Sequence, residues 1–321
     1  MRNKLAYIYI LGVILAASCS QLDVERPDNA ISFTPVAAKA TKAIISGATY
    51  PTSESFAVSA YHNGTAAYFE GLQATYSSSL ALWATAISQY WPLAGSLTFI
   101  AASPWDAPGV SITSSGVSAT GYTIQNAAQM TTDLCYASAT VADCSNHPES
   151  VNLTFSHALA QVVFRVKAAG YYNTGSKTVS LSMTSLSLSG VLSAGDFASE
   201  TWSDQNTPYN YSLSSSTTAL TYDGSNNPVT ADVCSFLFIP QEIPSNARIN
   251  VGYSVVQTVS GTPYTLENAP VAIPLTRAVT EWQPGKKYIY TLNIGLNNLI
   301  SISVSVAGWQ DENANIIVEE S

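Results

Sequence analysis

Charge is what this chain has least of. Only 10% of its 321 residues are Asp, Glu, Lys or Arg, against roughly a quarter in an ordinary globular protein. Twelve basic residues set against 21 acidic ones, for a formal charge of -9, leave no positive face for a phosphate backbone, so nucleic acid is excluded as a partner. Histidine occurs three times, at His62, His147 and His157, and cysteine four times, at Cys19, Cys135, Cys144 and Cys234. No C-x-x-C knuckle or H-x-x-x-H spacing is present, so the metal-ligand expectation is none. Cys135, Cys144, His147 and His157 form a zinc set only on paper. No G-x-S-x-G, P-loop or dinucleotide fingerprint occurs either. Nothing here argues for an enzyme, and no cofactor is expected. Sustained helical periodicity is also missing after the first twenty residues.

What the chain does have begins at its start. Arg2 and Lys4 precede an apolar run from Leu5 to Leu15, and Ala16, Ala17 and Ser18 lead into Cys19. A cationic start, an apolar stretch of about ten residues and a small-residue cut describe a secretory signal. The run is too short for a bilayer span, which takes roughly twenty apolar residues. Ending on a cysteine, with leucine four residues before it rather than the usual three, the segment resembles a bacterial lipoprotein signal. That resemblance implies an acylated Cys19 as the mature terminus, and two or three acyl chains hold a protein on a membrane. Residues 1-18 are thus read as signal and 19-29 as a polar tether. Loss of Arg2 and Lys4 lowers the charge from -9 to -11.

The remainder is written in strands. Hydrophobic residues make up 46% of the chain and eighteen are Tyr, while Ser, Thr, Asn and Gly supply the polar surface; these polar residues compete with helical backbone bonds. Ile31 to Pro35 reads as a short first strand, and Ala37 to Ala43 as a loop carrying Lys39 and Lys42. Asn63-Gly64 between apolar runs marks a hairpin. Ile300, Ile302, Val304 and Val306 alternate with Ser301, Ser303 and Ser305, the pattern of a half-buried strand. Apolar residues sit at odd positions from Val151 to Phe155 and at even ones from Ala158 to Val166. A period of two cannot change phase without an extra residue, so a bulge is predicted near Ser156–His157, and a second slip near Thr184–Ser185. A turn-rich stretch at 143-148 divides the chain into units 30-147 and 148-321. Cys135 and Cys144, nine apart around a turn, are read as two buried thiols or a local disulfide. Cys234 lies in an apolar strand as a core residue. Trp83, Trp91, Trp105 and Trp202 are candidates for stacking on sugars or for packing.

Several short motifs occur in a fixed order: Tyr90-Trp91-Pro92, Asp133-Leu134, Phe155-x-His157-Ala158-Leu159, Phe238-Ile239-Pro240, Trp282-x-Pro284-Gly285 with Tyr288 and Tyr290, and Gly308-Trp309. Together, behind a lipoprotein signal, they resemble the fimbrillin-like family of type V pilus proteins. The resemblance implies an all-β protein of two tandem transthyretin-like β-sandwiches, exported to the outer membrane and displayed on the cell surface or in a fimbrium. It implies other fimbrial subunits as partners. Protease removal of the first strand, with Ile31 and Phe33, would open a groove that a neighbour's strand fills. The family's protease favours Arg; here the choices are Arg26, before the strand, and Lys39 and Lys42 after it. The donor expected is the tail, Ile316, Ile317 and Val318, because the alternation of Ile300–Val306 binds that strand to its own core. The other reading is a stand-alone surface lipoprotein that binds glycan or host ligand through its loop tips.

Overall fold

The protein, known here from a computed structural model, is described over residues 29–37, 50–266, 270–296, 299–309 and 317–320. Strands dominate it, as the polar, β-branched and tyrosine-rich composition dictates. The first unit is built from β1 (Phe33–Ala37), β2 (Phe56–His62), β3 (Ala66–Ser77), β4 (Leu82–Thr85) and β5 (Leu97–Ser103). After an excursion through β6 (Val110–Thr113) and β7 (Gly116–Thr123), it is completed by β8 (Cys135–Val141) and β9 (Val151–His157). These strands form a closed ring in the order β1-β4-β3-β2-β5-β8-β9. The hairpin between β2 and β3 turns at Asn63 and Gly64, both with positive φ, as the Asn-Gly pair requires. Phe33, Phe56, Phe99, Phe155, Tyr50 and Trp83 fill the ring.

The second unit is a sandwich. It comprises β10 (Ala160–Ala168), β11 (Lys177–Ala198), β12 (Thr201–Ser214), β13 (Thr218–Ala219), β14 (Ala231–Phe238), β15 (Gln241–Glu242) and β16 (Arg248–Val259). It continues with β17 (Thr262–Leu266), β18 (Val271–Pro274), β19 (Glu281–Trp282), β20 (Lys286–Ile294), β21 (Ile300–Gly308) and β22 (Ile317–Glu320). One sheet runs β14-β10-β20-β21-β22, the other β17-β16-β11-β7-β6. Val162, Phe164 and Tyr290 from the first meet Leu181, Leu188 and Tyr253 from the second in one core.

The two units interlock across the expected boundary at 147/148. β9 lies beyond that boundary yet pairs with β8 and β1 in the ring. β6 and β7 precede it yet join the second unit by pairing β7 with β11. Their apolar face, Val117 and Ala119, packs in one cluster with Ile100 and Ala102 of the ring wall.

Both predicted phase changes fall at irregular places, for different reasons. Between Met183 and Ser185 the pairing of β11 with β16 shifts register, and Gly252 stands opposite Ser185. A side chain at 252 would meet the hydroxyls of Ser185 and Thr184, which would have to turn away, so glycine suits the slip. Near His157 there is no bulge. β9 ends there, Ala158 and Leu159 leave the ring, and β10 starts in the sandwich. The phase changes because the chain changes sheets. The crossing is tied down by Ala158 N–H to Leu134 O at 2.8 Å, Gly285 N–H to Leu159 O at 2.9 Å and the Trp202 indole N–H to Ala158 O at 2.6 Å.

Candidate functional site

β1 is the piece of the ring with the least backbone support on one side. It pairs in parallel with β9 over five residues, Phe33 opposite Val151 through Ala37 opposite Phe155. Against β4 it makes a single antiparallel pair, Phe33 with Trp83. The strand starts two residues later than the sequence suggests, but Ile31 and Phe33 are both buried, at 3% and 1% exposure. Phe33 meets Phe56 and Phe99 edge to face, with centroids 5.8 and 5.7 Å apart, the preferred geometry of aromatic pairs. Polar side chains tie the same strand to the segment before β9. Ser32 donates to Glu149 O at 3.1 Å, and the hydroxyls of Thr34 and Ser150 are 2.7 Å apart.

Both flanks of β1 are anchored. Ahead of it, Ile31 N–H donates to Gln89 O at 2.7 Å, Trp91 N–H to Asn29 O at 3.1 Å, and the Asn29 side chain reaches Trp91 O and His147. His147 also stacks on Trp91, 4.7 Å apart and 4° from parallel. Tyr50, the first described residue after position 37, is buried with its hydroxyl on Ser55 O and Ser103 Oγ. A cut between 38 and 49 therefore separates a seated strand from a seated remainder. Lys39 and Lys42 belong to that interval; they, Cys19, Arg26 and Ile316 lie outside the described residues.

At the other end of the chain, β21 is embedded as expected, with Ile302 and Val304 buried and its whole length paired to β20. Ile317 and Val318 lie in β22, the outermost strand of its sheet, which pairs with β21 from Ile302–Glu320 to Ser305–Ile317. Four residues against one neighbour make it the least supported strand of that sheet.

Between these two ends sits a buried polar cluster. His157 Nδ1 lies 2.7 Å from Asp133 Oδ2 and 3.4 Å from Cys135 Sγ. A carboxylate only accepts, so Nδ1 carries the proton. Trp309, the residue just after β21, covers the imidazole at 4.1 Å and 3°. Asp133 and His157 come from the ring and Trp309 from the sandwich, so the cluster joins the two units. Three donors within 4.8 Å invite a metal reading. The arrangement does not fit one: Nδ1 is engaged by Asp133, and Nε2 has no partner among the described residues, whereas a ligating histidine donates its second nitrogen to an outer shell. Nor is the thiol a nucleophile. Burial, with Asp133 adding to it, pushes Cys135 well above the ordinary thiol range, which keeps it protonated.

The remaining sequence candidates are placed as follows. Cys135 and Cys144 are buried free thiols. Cys234 is half-buried rather than in the core, its thiol pushed up to about 12 by burial. His62 ends β2 with Nε2 at 3.0 Å from Ala94 O. Trp83 and Trp91 are core, Trp202 is half-buried, and Trp105 alone of the six is exposed. Asp133, His157 and Trp309 stand in the sequence as parts of separate motifs; their meeting has no sequence signal, since they are up to 176 positions apart.

The fold thus defines an all-β, two-unit protein closed at one end by a short, separately anchored strand. The fimbrillin-like family profile matches residues 41–309, and the chain belongs to that family. Among solved structures it is similar to a candidate cell adhesion protein from Bacteroides uniformis, at 16% identity and a TM-score of 0.51 over 89% of this chain and 100% of that one. It is similar also to a candidate cell adhesion protein from Bacteroides ovatus, at 16% identity and a TM-score of 0.50 over 90% and 100%. These likenesses concern the fold. No curated protein matches the chain. Family membership carries a fimbrial role at the cell surface.

Proposed function

We propose that the protein is a fimbrial subunit or fimbria-associated adhesin, held on the outer membrane through Cys19 and assembled by exchange of strands between copies. In this reading a protease cuts after Lys39 or Lys42, β1 leaves, and the carboxyl-terminal strand of a neighbour takes its place. The observation that carries it is the seating of β1: five residues, one full ladder, a single pair on the other side, and buried Phe33 and Pro35, with buried Ile31 just ahead of them. Burying Ile31 and Phe33 is worth roughly 1.5–3 kcal/mol each. Their removal leaves an apolar slot and an open edge on β9, which another chain's strand fills by β-augmentation. The incoming strand has to run parallel to β9 with an apolar residue where Phe33 was. A tail with Ile316, Ile317 and Val318, its residues 317–320 paired to one neighbour only, suits that demand. The shared family region begins at residue 41 and stops at 309, so both exchanged segments lie at or beyond its limits.

The test is the mass of the subunit recovered from cells. An acylated start at Cys19 is expected on the membrane-bound form, and a start at Ala40 or Ala43 on the assembled form. Cys19→Ala should abolish the acyl mass and release the protein from the membrane. A wild-type mass without acyl groups, together with unchanged fractionation of the variant, contradicts the anchor.

A further inference from the structure

We infer that the cleft between the ring wall and the β6 arm binds a neutral, hydroxyl-rich sugar, with Trp105 as its stacking platform and Glu70 as its hydrogen-bond acceptor. This goes beyond the assembly reading and does not depend on it. The cleft encloses about 410 Å³ and is lined by Ser59, Glu70, Gly71, Pro104, Trp105 and Ile112, among others. That volume falls within the range of small-molecule sites.

Trp105 is 45% exposed while the other five indoles are buried or half-buried. It rides on a turn closed by Ala107 N–H to Pro104 O at 3.2 Å, followed by Val110 N–H to Ala107 O at 3.3 Å. The turn presents the indole without calling on core packing to do so. Glu70, another lining residue, is exposed, and the Tyr61 hydroxyl lies 3.4 Å from one of its carboxylate oxygens. That leaves the other oxygen for a ligand hydroxyl. Gly71 donates its N–H to Ser59 Oγ at 2.9 Å, and no atom of the described residues lies within 4 Å of where its side chain would be. The floor beside Glu70 is open. An indole and a carboxylate lining one cleft suit a sugar ring, which has C–H groups on its faces and paired hydroxyls on its edge. No Lys or Arg is among the described lining residues, so none of them would hold a sulfate, phosphate or sialic-acid carboxylate. A quaternary ammonium prefers several aromatic walls, and this cleft has one indole.

The test uses the full mature chain titrated with lactose, cellobiose and mannobiose, and with sialyllactose and phosphocholine as charged counterparts. Binding is read by tryptophan fluorescence and saturation-transfer NMR. At least one neutral disaccharide should saturate, with Trp105→Ala weakening it roughly tenfold or more and Trp105→Phe retaining part of the affinity. Glu70→Gln should weaken it several-fold at an unchanged urea midpoint, which separates lost contact from lost fold. Silence from all three neutral sugars, an effect of neither variant, or saturation by phosphocholine alone overturns the inference. Strand-exchange assembly should proceed normally in Trp105→Ala, so either reading can fail without the other.

Discussion

Phe33→Ala is the perturbation that asks most of the β1 site. The ring is 1% exposed and wedged edge-on between Phe56 and Phe99, with backbone pairing to both β9 and β4 at that one residue. Truncating a fully buried Phe removes its transfer energy and leaves a cavity, about 3–5 kcal/mol in total. Beyond Phe33 the segment rests on buried Ile31 and Pro35 and a parallel ladder whose hydrogen bonds contribute about 0.5–1.5 kcal/mol each. The loss should therefore appear first as release of β1 and not as unfolding of the whole chain. Native-state hydrogen exchange is the assay. Amides of β9 and of the Tyr90–Trp91 anchor should lose protection by the stated amount, while those of β10 and β20 keep theirs. Trypsin should cut faster after Lys39 and Lys42 in the variant. Val36→Ala, at a half-buried position of the same strand, should cost under about 1 kcal/mol. A Phe33→Ala cost below about 1 kcal/mol, or protection lost equally in β20, would refute the idea of a separately seated strand.

Two further outcomes follow from burial. Tyr50, Tyr122, Tyr211 and Tyr290 are all held above the ordinary phenol value of 10.0, in each case chiefly by burial. Raised folded values mean that the neutral phenols contribute their full stability below the unfolded value. That contribution is lost as pH rises from about 10 toward the folded values. Stability attributable to these groups should be flat from neutral pH to about 9 and fall above 10, with tyrosinate absorbance rising together with unfolding; ionisation of all phenols in a still-folded protein would contradict this. His157→Leu strands the buried Asp133 carboxylate and should cost about 3–5 kcal/mol, whereas Asp133→Leu with His157→Leu should cost less than the sum of the singles. Additivity within about 0.5 kcal/mol, read from urea midpoints, would mean that the two residues do not act as a pair.

How far these features were legible depends on their range. Local patterns carried well: the Asn63-Gly64 hairpin, the alternating Ile300–Val306 strand and the slip at Thr184–Ser185 all report through neighbours in sequence. The phase change at Ser156–His157 was legible too, but not its cause. A bulge and a transfer between sheets leave the same mark in a period-2 pattern, and only pairing partners tell them apart. The early departure of β6 and β7 to pair with β11 was invisible, because nothing in residues 110–123 encodes which sheet they join. The Asp133–His157–Trp309 cluster is the sharpest case. Each residue stood out as a motif fragment, yet their meeting depends on the crossing at Ala158–Leu159 and the end of β21. Phe33 was legible as an inward residue from its alternation with Ser32 and Thr34; that it bridges β9 and β4 was not.

Strand exchange is tested most directly by trimming the purified mature protein with trypsin and following its size in SDS without heating. Cleavage after Lys39 or Lys42 should turn monomer into an SDS-resistant ladder. The same treatment of a chain lacking residues 314–321 should stop at trimmed monomer. A trimmed protein with its tail intact that stays monomeric at high concentration would contradict exchange, leaving an anchor subunit or a stand-alone lipoprotein as the readings to pursue.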